Sequence, residues 1–455
     1  MNVLFVASEA LPFAKTGGLA DVIGALPVFL RKLGVSVNVL MPRYRGIEGS
    51  PGERLTIDIG KSIEVGMYDK EGFIFIDHPS FYDRDGLYGT ARGDYKDNCE
   101  RYTLLCKAAV EIARRNDIDI VHCHDWQTGL IPLYLKNQKS DVKTVFTIHN
   151  LGYQGRFPSH KFDLLGIEKG YFTPDGIEYY GDINFLKAGI VYADRVTTVS
   201  ENYALEIQTP ELGFGLDGVL RQRKNDLSGI INGIDYEVWN PASDALIPEP
   251  YADFQGKQHN KICFNQECNL RCDHPVIGMV SRIADQKGFD LIIKIFDDIM
   301  KLGFNFILLG VGDEAYHRKL KQFEQVYPSR VSINLKFDEK LAHRIYAGSD
   351  FFLMPSQYEP CGLGQLISLK YGTVPIVRQT GGLADTVTEF DSAGQTGNGF
   401  LFKSYTPNAL LDALSRAYQA FTNSDSFASL SERCMQYDFS WDESAKKYKR
   451  LYESL

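Results

Sequence analysis

Thr380-Gly381-Gly382-Leu383-Ala384-Asp385 repeats, residue for residue, a hexapeptide near the start of the chain, Thr16-Gly17-Gly18-Leu19-Ala20-Asp21. Each copy follows a strand-like apolar run and opens a run with helical spacing. Around the first copy, Val22, Ile23, Leu26, Phe29, Leu30 and Leu33 recur at that spacing over Ala20–Leu33. Gly34 is placed to stop this helix, and Pro27 inside it removes one backbone bond and predicts a kink. Two glycine turns in matching contexts point to two domains built on one plan.

The rest of the chain agrees. Short β-rich runs alternate with amphipathic stretches, the pattern of parallel sheets covered by helices. Strands are predicted at Val3–Ala7, Val35–Met41, Phe73–Asp77, Ile120–His122, Lys143–Ile148, Arg195–Val199 and Gly229–Ile231. A second set is predicted at Val276–Val280, Phe306–Leu309, Val331–Leu335, Phe351–Met354 and Val374–Val377. The fold class is therefore α/β, with two Rossmann-like domains facing each other across a cleft. Pro241, Pro248 and Pro250 cluster with polar residues and place the break between the halves in Asn240–Asp273.

Composition narrows the function. At 455 residues the chain exceeds what one core sustains, and 44% hydrophobic with 24% charged residues is ordinary for a globular protein. A net charge of −9 argues against nucleic acid, whose phosphates select basic surfaces. Any anionic small substrate must then meet a local cluster of Lys and Arg. Eight cysteines in this length make no disulfide scaffold. Asn2–Ser8 reads as a buried strand rather than a leader, and no apolar run reaches the ~20 residues of a membrane span. A cytoplasmic protein is expected.

The cationic cluster is found at Ser281-Arg282-Ile283-Ala284-Asp285-Gln286-Lys287-Gly288, directly after the predicted strand Val276–Val280. Ligands of open α/β sheets bind beyond the carboxyl ends of strands. Arg282 and Lys287 therefore stand where a diphosphate is held, one as a planar fork and one as a point charge. Lys15-Thr16-Gly17-Gly18 offers a second anion site, with free amides at a helix entrance and the Lys15 charge beside them. Gly310-Val311-Gly312-Asp313 suits close approach by a nucleotide. It is no complete dinucleotide fingerprint, since position 315 is Ala. Glu359, in Tyr358-Glu359-Pro360-Cys361-Gly362 after the strand Phe351–Met354, is placed to reach sugar hydroxyls.

Other clusters are read as structural. His122 and His124 share one strand face with no third metal ligand nearby in sequence. Cys263, Cys268, Cys272 and His274 lack paired zinc spacing and are expected to be free thiols on a linker helix. Asp83-x-Asp85 and Asp117-x-Asp119 are taken as local turn carboxylates. No G-x-S-x-G elbow supports a serine hydrolase.

Seven motifs in order then carry a resemblance over nearly the whole chain: KTGGLADV from Lys15, HDWQ from His124, TIHNLGYQG from Thr147, INGID from Ile231, SRIADQKG from Ser281, EPCGLGQL from Glu359 and TGGLADTV from Thr380. The chain resembles the bacterial glycogen and plant starch synthases, retaining glycosyltransferases of the two-domain GT-B fold. The resemblance implies a domain at 1–241 on the acceptor side, a donor domain at 242–436, and a C-terminal helix at 437–455 returning to the first. It implies transfer of glucose from ADP-glucose, or UDP-glucose, to an α-1,4-glucan. No metal, cofactor or covalent enzyme intermediate is expected, and the protein should be a monomer or weak homo-oligomer.

Carried over by this similarity, Lys15 and Gly18 line the donor phosphates, while Arg282 and Lys287 neutralise the departing diphosphate. Asp125, His149 and Asn232 line the first domain's side of the site, and Tyr95 supplies an aromatic near the donor. Glu359, Cys361 and Gly362 form the donor-sugar loop, with Thr380 and Gly381 beside the phosphates. Phe337 stands where relatives often stack a Tyr on adenine. Two departures matter. A second Glu that wider relatives carry eight positions after the first is Ile367 here, as is usual for the synthase branch. The spacer Ala242–His274 is unlike the family in composition. Rival readings are a sucrose- or trehalose-forming transferase, a regulatory glucan-binding protein, and a nucleotide-sugar epimerase.

Overall fold

The computed structural model describes residues 1–49, 52–90, 92–393 and 395–455. The chain forms two units, Met1–Asn232 with Trp441–Leu455, and Gly233–Ser440.

The first unit is built on a nine-stranded sheet. Its spatial order is Leu227–Gly229, Arg195–Thr198, Lys143–Ile148, Ile120–His124, Asn2–Val6, Ser36–Pro42, Phe73–Asp77, Ser62–Lys70 and Arg54–Asp58. The first seven run parallel, and the last two add an antiparallel edge. Parallel strands covered on both faces read as continuous apolar runs, which is why Asn2–Val6 and Lys143–Ile148 stand out in the sequence. The edge hairpin Arg54–Asp58 and Ser62–Lys70 went unpredicted. Its outer positions face solvent, so it alternates and carries no apolar run. The last strand sits at Leu227–Gly229 rather than Gly229–Ile231.

From Asn2–Val6 the chain fills one flank, reaching the edge at Arg54–Asp58 and coming back in to Phe73–Asp77, then crosses to the opposite flank at Ile120–His124. Strand order reverses there, so a crevice opens beyond the carboxyl ends of Asn2–Val6 and Ile120–His124. The helix Gly18–Lys32 runs through Pro27 without interruption. The C-terminal helix Trp441–Glu453 joins this unit, burying Trp441, Tyr448 and Tyr452 and donating from Lys449 Nζ to Leu33 O at 3.0 Å.

The second unit has a six-stranded parallel sheet in the order Val331–Asn334, Asn305–Leu309, Val276–Val280, Phe351–Met354, Val374–Arg378 and Phe400–Phe402. Here the reversal lies between Val276–Val280 and Phe351–Met354, which pair in parallel. The units divide at Asn232/Gly233, ahead of the proline-rich stretch read as the break. Residues 234–239 are tied to the second unit: Ile234 N donates to Phe439 O at 2.8 Å, and Trp239 stacks on His343 with centroids 3.9 Å apart.

The spacer helix is Phe254–Glu267, shorter than the cysteine spacing implied. Cys263 lies on it, Cys268 caps it, and Cys272 lies beyond its end. All eight cysteines are free. The helix is pinned by buried Lys257, which donates to Tyr346 O, Ala347 O and Thr373 Oγ1.

Candidate active site

In the second unit, four loops at strand carboxyl ends interlock by backbone contact. Gln357 N donates to Gln286 O at 2.8 Å, tying the loop after Phe351–Met354 to the loop after Val276–Val280. Asp313 N donates to Ile283 O, and Ile283 N to Val311 O, both at 2.8 Å, so the loop at 310–313 is added alongside. Gly382 N donates to the carbonyls of Glu359 and Pro360, each at 3.1 Å. This closeness explains the second Gly-Gly. A Cβ on Gly381 would collide with Glu359 O, and one on Gly382 with Cys361 O. Gly312, Thr380, Gly381, Cys361 and Gly362 are thereby gathered with Lys287 and Glu359.

At the strand-order reversal, Lys287 Nζ meets Glu359 Oε2 at 2.5 Å, and Ser356 Oγ donates to the same oxygen at 2.9 Å. The side chains are 16% and 8% exposed, so the pair is shielded from bulk water. A cation held this way has low freedom and strong local field, which suits it to an anion brought alongside. Arg282 is exposed on the same loop. Phe337, in the loop after Val331–Asn334, presents its ring to solvent with 82% of its surface exposed.

The first unit makes its loop differently. Lys15 Nζ is paired with Asp21 Oδ1 at 2.6 Å. The amides expected to be free are taken by a residue the sequence reading missed. Buried Glu9 accepts from Thr16 N, from Thr16 Oγ1 at 2.6 Å and from Gly17 N at 3.2 Å, and also from Tyr88 Oη. Gly18 is the first helical residue beyond this carboxylate. Tyr95 N donates to Tyr88 O at 2.9 Å, so Tyr95 reaches this network through its neighbour. Its ring lies 4.7 Å from the Arg84 guanidinium carbon and 5.1 Å from that of Arg101.

Asp125 follows Ile120–His124 in the left-handed region, with φ of 59°. Its Oδ1 accepts from His149 N at 2.7 Å and Asn150 N at 3.4 Å, binding two strand ends together. Burial pushes its carboxyl up to about 7, against a downward pull from those amides. Burial lowers His149 to about 3 and holds His122 and His124 well below the usual imidazole value, so all three rings are neutral.

Neutral rings permit a tautomer assignment. His124 Nδ1 lies 3.0 Å from His149 Nε2, and His124 Nε2 is buried without a partner. An orphaned buried N–H is rarer and costlier than an orphaned acceptor. The His124 proton therefore sits on Nδ1 and is donated to His149, which carries its own proton on Nδ1. His122 is not a metal ligand in waiting: Nδ1 contacts Tyr452 Oη at 2.7 Å and Nε2 contacts Thr147 Oγ1 at 2.6 Å. Asp83 and Asp85 both pair with Arg45, and Asp119 accepts from Asn2 N at 2.7 Å. Buried Asn232 ends the unit's main segment with its Oδ1 unpartnered.

Lys15, Gly18, Tyr95, Asp125, His149 and Asn232 thus lie in the first unit, and the other expected residues in the second. Glu9, Tyr88, His124 and Ser356 were not predicted as functional. Glu9 and Ser356 each stand just beyond a predicted strand, a position that does not by itself mark function.

Paired α/β units with their loops at the strand-order reversals fit the class of two-domain glycosyltransferases. The family described as "Starch synthase catalytic domain" matches residues 2–222, and "Glycosyl transferases group 1" matches residues 264–428. The chain is 46% identical to glycogen synthase of Geotalea daltonii, over 99% of this chain and 98% of the relative. Glycogen synthase of Syntrophotalea carbinolica is 44% identical over the same shares. Among solved structures, the catalytic domain of starch synthase IV from Arabidopsis thaliana, bound to ADP and acarbose, superposes with a TM-score of 0.90 at 33% identity, covering 99% of this chain and 98% of that one. Sucrose-phosphate synthase from Thermosynechococcus elongatus, at 18% identity and a TM-score of 0.66, shares the fold. The chain belongs to the glycogen and starch synthase family of glycosyltransferases.

Proposed function

We propose that this protein transfers glucose from ADP-glucose to the non-reducing end of an α-1,4-glucan, with retention at the anomeric carbon. The reading needs neither a metal ion nor a covalent enzyme intermediate. The second unit is assigned the donor and the first the acceptor. The observation that carries it is the Lys287–Glu359 pair at the strand-order reversal, in a chain whose full-length relatives are glycogen synthases. The ADP in the starch synthase IV structure favours adenine as the donor base.

The chemistry follows from charge. Breaking the bond between C1 and the phosphate oxygen builds positive charge on the sugar and negative charge on the diphosphate. Lys287 and Arg282 favour that separated state over the ground state, which is what accelerates a reaction. The acceptor hydroxyl attacks C1 from the face the phosphate leaves, and its proton passes to the departing phosphate oxygen. Glu359, oriented by Lys287 and Ser356, is assigned to the sugar hydroxyls. His149, with its proton on Nδ1, donates to a sugar oxygen.

The test is glucose transfer to a glycogen primer from ADP-glucose and from UDP-glucose, each with and without a chelator, with the new linkage read by NMR. Faster transfer from ADP-glucose, undiminished by chelator and giving only α-linkages, is expected. A β-linked product, transfer abolished by chelator, or a preference for UDP-glucose would each remove its part of the reading.

A further inference from the structure

The first unit carries three aromatic side chains at its surface that neither the core nor the site just described explains. Tyr180 is 81% exposed, Tyr153 52% and Phe214 36%. They come from three separate segments, and the backbone brings those segments together. The carbonyl of Phe214 accepts from Gln154 Nε2 at 3.0 Å and from Tyr179 Oη at 2.8 Å. The Tyr179 and Tyr180 rings meet edge to face, with centroids 4.7 Å apart.

Two of the three stand where a bulky residue is out of place. Tyr180-Gly181 is the two-residue loop joining the antiparallel strands Glu178–Tyr179 and Asp182–Asn184, and φ is 51° at Tyr180 and 84° at Gly181. That is the geometry of a hairpin tip at which Asn, Asp or Gly is strongly preferred. Phe214-Gly215 repeats the pattern, with φ of 47° and 78°. Strained positions that keep an unfavourable residue point to a role outside folding.

The surroundings say what kind of ligand fits. Arg156 pairs with Asp182 at 2.9 Å and lies 5.1 Å from the Tyr179 ring, while Glu178 Oε1 accepts from Gly181 N. Arg156 and Asp182 are thus engaged with each other and Glu178 with a backbone amide, so the patch suits a neutral molecule. Exposed tyrosines offer flat apolar faces with polar rims, the match for the C–H faces of pyranose rings. The patch also continues from the site, since Tyr153 N donates to Asn150 O at 3.2 Å, immediately after His149.

We propose that Tyr180, with Tyr153 and Phe214, forms a stacking platform for an α-glucan chain at units removed from the reacting end. This rests on the reading of the acceptor as an α-glucan. The platform acts on chain length preference, gripping long acceptors that span it and leaving short ones unaided.

The full chain carrying Tyr180→Asn tests it, because Asn relieves the left-handed backbone and so favours folding. Retardation in a native gel containing glycogen reads binding without catalysis. The ratio of kcat/KM for glycogen to that for maltose reads chain preference. Wild type should be retarded, the variant clearly less so, and the ratio should fall about 3- to 10-fold, the scale of one lost aromatic contact. Tyr180→Trp should restore both. Equal retardation of wild type and Tyr180→Asn, an unchanged ratio, or a wild-type oligomer that the variant dissociates would overturn the platform. If neither acceptor is extended but retardation still depends on Tyr180, the platform stands and the transferase reading falls.

Discussion

The glycine loops of the two units share a sequence and differ in construction. In the second unit the loop at 380–382 is wedged against carbonyls of residues 359–361, leaving no room for a Cβ. In the first unit a Cβ added at Gly17 would meet nothing within 4 Å, and the loop is held by the side chain of Glu9 instead. One cradle is made of backbone and the other of carboxylates. The difference teaches that an identical hexapeptide fixes a turn but not what the turn holds. In both units the lysine is paired with an acid, but the Lys287–Glu359 pair is shielded from water beside a backbone cradle, whereas the Lys15–Asp21 pair is more exposed beside amides that face a carboxylate.

That contrast predicts unequal losses. Lys287→Gln keeps a hydrogen bond to Glu359 and removes the charge, so turnover should fall about 10²-fold or more. Lys15→Ala, whose pair with Asp21 is more open to solvent screening than that of Lys287, should cost turnover about 10-fold at most, the scale of a single screened contact. Steady-state rates with ADP-glucose and glycogen check both, and equal losses would break the comparison. Next in size, Gly382→Ala should destabilise by about 3 kcal/mol, the upper end of the usual cost of overpacking, because the added Cβ meets backbone. Gly17→Ala, with open space around it, should cost under about 1 kcal/mol. Urea unfolding of both variants measures the difference.

The third prediction concerns acid–base linkage. Asp125 ionises at about 7 in the folded chain against an ordinary 3.8. As pH rises the unfolded chain loses this proton first, so stability from this group is full in acid and is lost through neutral pH. Urea midpoints taken at about pH 4.5 and about pH 7.5 should therefore draw apart for wild type and Asp125→Asn, with wild type losing more. A small effect, on stability rather than on turnover, is expected at the far end of the histidine chain. Tyr452→Phe leaves His122 Nδ1 without its partner and should cost about 1–2 kcal/mol in thermal unfolding, with turnover little changed.

How much of this was legible follows the same division. Strands buried on both faces and loops forced to glycine write themselves plainly, because few residues satisfy either demand. Arg282, Lys287 and Glu359 were legible because strand ends in open sheets collect function. The edge hairpin at 54–70 was not, since half of each strand faces water. The carboxylate of Glu9 was not, because an acid after a strand looks alike whether it caps a loop or faces solvent. His124 looked structural, and only the distance to His149 shows that it sets a neighbour's proton.

The most direct test of the charge account is the turnover of Arg282→Ala at saturating ADP-glucose and glycogen, in a preparation shown to be folded. Stabilisation of the leaving diphosphate predicts a fall of about 10²-fold. A rate within about threefold of wild type, too little for one lost donor to a developing anion, would contradict it.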